Sequence, residues 1–201
     1  MSIKISTTEK MPKGCGSWSL PARTTCPGSI NPLTRQVYEV CAECYATKGR
    51  YKFGKVQAAR QHNKTDWRRD EWVSDMVQWI GTKEYFRWFD SGDCYCEELA
   101  SKIYDVLYFT EYTKHWLPTK QQWLPERFDW PTWNTTIRLS SPIKDYYTAG
   151  VHRSVVLTED TYDNYKGTDV HLCPAPSQEN KCGDCRACWD NTIAVIGYKE
   201  H

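Results

Sequence analysis

The sequence has no long apolar stretch, no excess of charge of one sign and no apolar leader. No hydrophobic run approaches the roughly 18 residues that a membrane-spanning helix needs, and the mean hydropathy is −0.71. With 26 basic and 25 acidic residues the net charge is +1, so the overall charge favours no nucleic-acid partner. The N-terminus also lacks a small-residue cleavage site. We therefore expect a protein of the reducing cytoplasm with no membrane partner.

Internal repeats and low-complexity tracts are also missing. The 201 residues are 40% hydrophobic, which is enough for one sizeable core. The sequence predicts a single domain over residues 1–201, in which the polar residues 1–14 are loose.

Cysteine and tryptophan, by contrast, are abundant, with ten residues of each. Since disulfides seldom persist in a reducing compartment, the cysteines are better read as metal ligands than as five disulfides. Near the C-terminus they form the pattern C-P-x7-C-x2-C-x2-C, made by Cys173, Cys182, Cys185 and Cys188. Two intervening residues let successive thiolates turn toward one ion or cluster. This run is typical of a [4Fe–4S] cluster, whereas structural zinc usually takes two separated C-x2-C pairs.

A second group of cysteines lies near the N-terminus. Cys41 and Cys44 form a C-x2-C pair, and Cys26 precedes them by fourteen intervening residues. Two arrangements remain open: these residues hold a cluster of their own, or some of them complete one centre with the distant cysteines. Three thiolates around a [4Fe–4S] cube would leave one iron open to a ligand or substrate.

The other cysteines carry weaker signals. The one-residue gap between Cys94 and Cys96 puts both side chains on one face of an extended segment, which favours buried free thiols. Cys15, between two glycines, cannot be assigned from the sequence.

Hydrophobic periodicity predicts an alternation of helices and strands. We expect helices over residues 55–62, 66–80 and 97–103, and an irregular segment over 117–133. We expect strands over residues 17–20, 85–89, 106–112, 136–139, 154–157 and 192–196. This order favours an α/β fold, either a partial βα barrel or a mainly parallel sheet, with cysteine-rich loops at both ends of the chain.

Short polar motifs follow three of the expected strands. In parallel sheets, binding groups gather at the carboxyl ends of the strands. The motifs therefore predict a pocket with hydrogen-bonding groups and one cation for an anionic group. Its candidate residues are Asp90, Ser91, Asp93, Lys114 and Ser140.

Several of these motifs, taken together, resemble a phage protein family, the gene-product-88-like proteins. The resemblance covers about residues 13–198 and rests on the order of the motifs. They are Pro21 with Cys26-Pro-Gly, Cys41-x2-Cys44-Tyr-Ala, Phe86-Arg87-Trp88-x-Asp90-Ser91-Gly92-Asp93, Tyr112-Thr113-Lys114 and Cys182-Gly-Asp-Cys185-Arg-Ala-Cys188-Trp189.

The resemblance implies a phage-encoded protein of the bacterial host's cytoplasm with cysteine ligands for iron–sulfur. It also implies a relationship to radical S-adenosylmethionine enzymes, which share a partial βα barrel and a cluster in an early cysteine loop. This sequence departs from those enzymes: it lacks a compact C-x3-C-x2-C loop and a Gly-Gly-Glu run, and Phe89 stands where the phage family tends to have a histidine.

Three functions remain open on the sequence. The first is a [4Fe–4S] protein that activates a small molecule, S-adenosylmethionine among the candidates, at an open iron held by Cys26, Cys41 and Cys44. The second is a non-catalytic cluster protein for electron transfer, redox sensing or binding a host protein. The third is a zinc-stabilised module. Nucleic acid is a weak fourth option, because acidic residues interleave with the basic group of Lys64, Arg68 and Arg69.

Overall fold

The structure is a computed structural model that describes residues 3–150 and 152–200. Over these residues it contains one eight-stranded sheet in the order β1-β2-β3-β4-β5-β6-β8-β7. The strands are β1 (Ile5–Thr7), β2 (Gly16–Trp18), β3 (Tyr85–Trp88), β4 (Lys114–Thr119), β5 (Thr135–Ser140), β6 (Arg153–Leu157), β7 (Val170–Leu172) and β8 (Val195–Lys199).

The sheet is mainly parallel and open. β1 pairs with β2 in the antiparallel sense, and the pairs from β2 to β7 are parallel. Strands β2 to β6 lie side by side in chain order, as in a βα barrel, but β1 and β7 end the order without meeting. The predicted α/β class, with a partial barrel or mainly parallel sheet, is confirmed.

Helices and irregular turns connect the strands. The helices are α1 (Glu39–Ala42), α2 (Gly54–Asp66), α3 (Trp72–Ile80), α4 (Glu97–Phe109), α5 (Leu124–Arg127) and α6 (Glu159–Tyr162). Among the helices of the described residues, none is long and apolar enough to cross a membrane.

The main core lies between the sheet and the helices α3 and α4. Alternation along β3 directs Phe86 and Trp88 into this core, where Trp18 and Trp72 pack edge to face with ring centroids 5.2 Å apart. Each such fully buried side chain contributes roughly 1.5–3 kcal/mol relative to exposure. The opposite face of the sheet is covered by the C-terminal cysteine segment, whose Trp189 packs against Trp116 at 5.3 Å.

The strand predicted over residues 106–112 is wrong. Helix α4 continues to Phe109, because Leu99, Ile103, Val106 and Leu107 form one buried helical face. This periodicity prevails over the strand preference of the valine and aromatic residues. Lys114 was expected just after the end of a strand. It is instead the first residue of β4.

Other predicted ends of helices and strands differ from the observed ones by a few residues. Part of the segment 117–133 expected to be irregular belongs to β4, and the last strand begins at Val195 rather than at residue 192. The helix expected over residues 66–80 begins at Trp72 as α3, and Asp66 is the last residue of α2. Residues 1–14, predicted to be loose, include β1 and the buried Ile3, while Met1 and Ser2 lie outside the described residues.

Candidate functional site

The three N-terminal cysteines meet at the carboxyl edge of the sheet. Cys26 follows β2 and precedes the turn Pro27–Ser29, and Cys41 lies in α1. The charges of Cys44 and Cys41 both act on Cys26, so the thiols are close enough to interact electrostatically. The fold thus brings together the cysteines that the sequence grouped only by spacing.

A glycine fixes this loop on the sheet. A Cβ at Gly28 would lie 2.7 Å from the carbonyl oxygen of Lys120, the residue after β4. Real Cβ atoms do not approach backbone oxygens so closely, so only glycine lets the loop lie against β4. This contact brings the lysine beside the cysteines.

Lys120 is a buried cation beside the N-terminal group. Burial lowers its pKa, and the charges of Cys41, Asp93 and Cys44 act in the opposite direction. Its Nζ donates a hydrogen bond to the carbonyl oxygen of Ser141 at 2.9 Å. Sequence reasoning missed this lysine, since nothing local distinguishes it from other lysines.

Burial dominates the acidity of the thiols. It raises the pKa of Cys26 to about 12, and it also raises the pKa of Cys41, where Lys120 opposes the effect. The thiols of Cys26 and Cys41 are thus protonated near neutral pH. A metal that bound there would displace these protons.

Asp93 ties the ends of β3 and β4 together beneath this group. Its carboxylate accepts hydrogen bonds from the hydroxyl of Thr119 at 2.7 Å and from the backbone N–H groups of Lys120 at 2.8 Å and Cys94 at 2.7 Å. Burial raises the pKa of Asp93 to about 6, although these hydrogen bonds lower it.

The candidate pocket residues do not all lie at the same end of the sheet. Ser91 donates to the carbonyl oxygen of Leu20 at 2.7 Å, and the hydroxyls of Ser140 and Ser154 are 3.0 Å apart. With Asp90 and Asp93, they lie at the carboxyl edge. Lys114 does not, since it starts β4 and its Nζ donates to the carbonyl oxygen of Trp133 at 2.7 Å. Its expected place beside the other four is wrong, because the preceding segment is helix α4.

Asp90 is held by cationic and phenolic side chains. Arg87 approaches its carboxylate to 2.9 Å, and the Tyr51 hydroxyl donates to it at 2.7 Å. Arg87 also donates to the hydroxyl of Tyr45, the residue after Cys44, at 3.2 Å and lies over the ring of Trp116. Asp90 therefore organises the edge and is not a free pocket group.

The C-terminal cysteines lie on the face of the sheet opposite the helix-covered core. Cys173 follows β7, and Cys188 lies in the turn Ala187–Trp189. Burial raises the pKa of Cys188 to about 12, and the charges of Cys173 and Cys182 add to this effect. The charge of Cys185 also acts on Cys173. The fold therefore brings all four thiols of the C-terminal cysteine motif close together.

Two further residues join this group. The sulfur of Cys185 is 3.5 Å from Nε2 of His171, and Cys15 is close enough to Cys182 for their charges to interact. Burial raises the pKa of Cys15 to about 12. The sequence could not place Cys15, because the residues that surround it lie far away in the chain.

Arg138 anchors the C-terminal segment. It is fully buried in β5 and donates hydrogen bonds to the four carbonyl oxygens of Cys188, Ile193, Ala187 and Asp190. A charged residue inside a strand was the available sequence signal, but it did not reveal these partners.

Cys94 and Cys96 stand apart from both groups. Cys94 is buried in the helix-covered core, and Cys96 precedes α4 and packs against that core. All ten cysteines are free thiols. Within residues 3–150 and 152–200, no three His, Cys, Asp or Glu side chains are already arranged as a metal-binding group, so the thiols converge without closing on one point.

Comparison with known proteins identifies one family. No curated protein and no solved structure matches the chain. A protein-family model described as gene product 88 matches residues 3–191. Because this match covers nearly the whole sequence, the chain belongs to the gene product 88 family of phage proteins.

Proposed function

We propose that this phage protein binds iron–sulfur clusters in the host cytoplasm, with Cys26, Cys41 and Cys44 as the ligands of one [4Fe–4S] cluster. The observation that carries the proposal is the convergence of these thiols on the carboxyl edge of the sheet beside Lys120. Binding groups of parallel sheets collect at that edge.

The donor set fits such a cluster in kind and in charge. Thiolates are the usual ligands of iron–sulfur clusters. A cluster bound by thiolates carries negative charge, and Lys120 supplies a nearby cation. The loop from Cys26 to Cys44 is largely turns, so its sulfurs can move toward a common centre without disturbing the sheet.

A second cluster would be held by the C-terminal cysteines. Cys173, Cys182, Cys185 and Cys188 supply four thiols, and Arg138 fixes the backbone from which Cys188 extends. Four thiolates complete the ligand set of a [4Fe–4S] cluster. This group would then serve electron transfer or folding rather than substrate binding.

Zinc is a second candidate for the C-terminal group. The contact between Cys185 and His171 favours it, because structural zinc readily takes mixed cysteine and histidine ligands. Metal analysis of the C-terminal group therefore has two defined outcomes, iron with sulfide or zinc without it.

The N-terminal group is the one suited to chemistry. When bound by three cysteines, a [4Fe–4S] cluster supplies one iron with an exchangeable position. The side-by-side order of β2 to β6 supports a scaffold like that of radical S-adenosylmethionine enzymes. Around such a site, Lys120 would orient an anionic group, and Asp93 would hold the ends of β3 and β4 in place.

Iron and sulfide analysis of anaerobically prepared protein tests the cluster proposal. We expect the double variant Cys41→Ala/Cys44→Ala to lose the iron of one cluster and keep the rest. Cys185→Ala/Cys188→Ala should remove the other metal. Cys96→Ala is the matched control, since Cys96 belongs to neither group. Unchanged iron content in both double variants, or zinc without sulfide in both groups, contradicts the proposal.

The enzymatic part needs a separate test. Reduced, iron-loaded protein is incubated with S-adenosylmethionine, and 5′-deoxyadenosine is measured. Its formation, and its loss in Cys41→Ala/Cys44→Ala, supports radical chemistry at the N-terminal group. If none forms while iron and sulfide are present, the protein is a non-catalytic cluster protein.

A further inference from the structure

A cavity with a strongly basic lining contains none of the cysteines. It has a volume of about 230 Å³ and lies between β1, the end of β2 and the first turns of α2. Its polar lining consists of Lys4, Ser6, Ser19, Lys55, Arg60 and Asn63. Three of these side chains are cationic, and none of the described residues that line the cavity is acidic. The lining therefore favours an anion.

Arg60 contributes a donor that the protein itself does not use. Arg60 is only 6% exposed, and its Nη1 has no hydrogen-bond partner among the described residues. The rest of the guanidinium is held in place, because Nη2 lies 3.7 Å from the Asp90 carboxylate and the group stacks on the Tyr51 ring at 4.4 Å. Leaving a buried donor unpaired carries a free-energy cost. An anion in the cavity would remove this cost.

Asn63 makes the walls of the cavity rigid. Its amide Nδ2 donates to the carbonyl oxygens of Lys4 at 2.8 Å and Ser19 at 3.0 Å. Its Oδ1 accepts the backbone N–H of Lys4 at 3.1 Å. These bonds join α2 to both strands, so Lys4 and Ser19 are held in position before any ligand arrives.

The start of α2 adds to the positive potential. Lys55 and Val56 line the cavity in the first turn of this 13-residue helix, and Phe53, which precedes it, provides no side-chain cap. The N-terminus of a helix carries a partial positive charge, which favours phosphate. The N–H of Val56 already donates to the carbonyl oxygen of Phe53 at 2.9 Å, so the donors of the cavity are the lysine, arginine and hydroxyl groups.

We propose that this cavity binds a phosphate group, either as inorganic phosphate or as the phosphate end of a phosphomonoester. Arg60 and Lys55 are the principal ligands, with Lys4 and the hydroxyls of Ser6 and Ser19 around them. The volume is below the roughly 300 Å³ at which pockets for drug-sized ligands begin, so the cavity suits the phosphate rather than a whole nucleotide. The site does not depend on the proposed clusters.

Isothermal titration of the full-length protein with inorganic phosphate, at constant ionic strength, tests this proposal. We expect saturable binding that Lys55→Gln weakens by about tenfold, the loss expected for one charge-assisted hydrogen bond. Ala59→Glu should abolish binding, because it puts a carboxylate in the cavity wall. Lys55 is exposed, so its replacement leaves the fold intact.

Lys64→Gln is the matched control. It removes the same charge from the last turn of the same helix, outside the cavity. Phosphate affinity should therefore stay at the wild-type value. An equal loss in Lys64→Gln and Lys55→Gln would mean that only overall charge matters, and it would overturn the site.

Two ligand arms identify the source of the phosphate. Tighter binding of glycerol phosphate than of inorganic phosphate assigns the site to a phosphomonoester, and the reverse order assigns it to free phosphate. Absence of saturable binding to either ligand, or equal affinity for acetate, contradicts the proposal. Arg60→Lys, checked by thermal unfolding, should keep the charge but lose affinity, because lysine lacks the planar fork of donors that the guanidinium presents.

Discussion

The two cysteine groups differ in where they lie and in what holds them. The N-terminal thiols come from turns and the short helix α1 at the carboxyl edge of the sheet, beside one lysine. The C-terminal thiols lie on a face of the sheet, where Arg138 and Trp189 fix their segment from within. The first group is thus held by the close approach of Gly28 to Lys120, and the second by hydrogen bonds from a buried arginine. Changes at Arg138 or Trp189 should therefore lower the free energy of unfolding. Changes at the carboxyl edge of the sheet should mainly affect the conformation of the loop over residues 26–44.

The largest effect is expected for Arg138→Met. The change removes the donor for four backbone carbonyl groups of the C-terminal segment and leaves them unsatisfied. We expect the free energy of unfolding to fall by about 3–5 kcal/mol, measured by urea denaturation. Arg127→Met, at an exposed ion pair with Glu97, is the control and should cost about 1 kcal/mol or less.

This variant also sharpens the comparison between the two groups. Limited proteolysis of Arg138→Met should cleave within residues 174–193 first, while the loop over residues 26–44 stays as resistant as in the wild type. Equal cleavage of both segments would mean that the two groups are not held independently.

Gly28→Ala tests how the loop over residues 26–44 is held against the carboxyl edge of the sheet. The added Cβ would lie 2.7 Å from the Lys120 carbonyl oxygen, so the loop must move away from β4. We expect a loss of about 1–3 kcal/mol in the free energy of unfolding and faster labelling of Cys26 by a thiol reagent. Gly54→Ala is the control, because a Cβ there meets nothing within 4 Å. Wild-type labelling in Gly28→Ala would show that this contact does not hold the loop.

His115 gives the helix-covered face a pH dependence of its own. Trp88 donates to its Nδ1 at 3.3 Å, and its Nε2 therefore carries the proton and donates to the Thr110 hydroxyl at 2.9 Å. Burial lowers the pKa of His115 to about 3. The unfolded chain takes up this proton near pH 6.5 and the folded chain does not, so stability is lost as the pH falls.

The expected size of this loss of stability follows from the protonation of His115 alone. Between about pH 6.5 and 5 the free energy of unfolding should drop by about 2 kcal/mol through His115. His115→Gln should flatten this slope in urea denaturation at each pH. A slope that His115→Gln leaves unchanged would contradict the buried neutral histidine.

The smallest effect is expected for Tyr198→Phe. This change removes the hydroxyl that lies 3.3 Å from the Cys188 sulfur and keeps the ring. We expect a loss of about 0.5–1.5 kcal/mol, measured by thermal unfolding, and faster labelling of Cys188. Tyr112→Phe, at a residue that is 86% exposed, is the control and should leave both measurements at the wild-type value.

Sequence periodicity predicted the parallel sheet well where strands are short and apolar. Residues 85–89, 136–139 and 154–157 all overlap observed strands. It failed at residues 106–112, where the valine and aromatic residues favour a strand locally but Leu99 and Ile103 continue one helical face through them. Lys114 was misplaced for the same reason.

The candidate site was predictable only in part. The spacing grouped Cys26, Cys41 and Cys44, and the structure places them close enough to interact electrostatically, but the sequence did not indicate Lys120 beside them. Their contacts depend on how the ends of β3 and β4 lie against the loop. Such contacts join residues far apart in the chain and leave no local pattern.

By itself the sequence determined the type of fold, the two cysteine motifs and their soft sulfur donors, because periodicity and spacing are local properties. Only the tertiary structure decided that Cys15 joins Cys182, that Lys120 lies among the N-terminal thiols and that Arg60 lines a basic cavity. The physical reason is that burial and charge proximity are set when the strands pack side by side, and residues separated by many positions then share one environment.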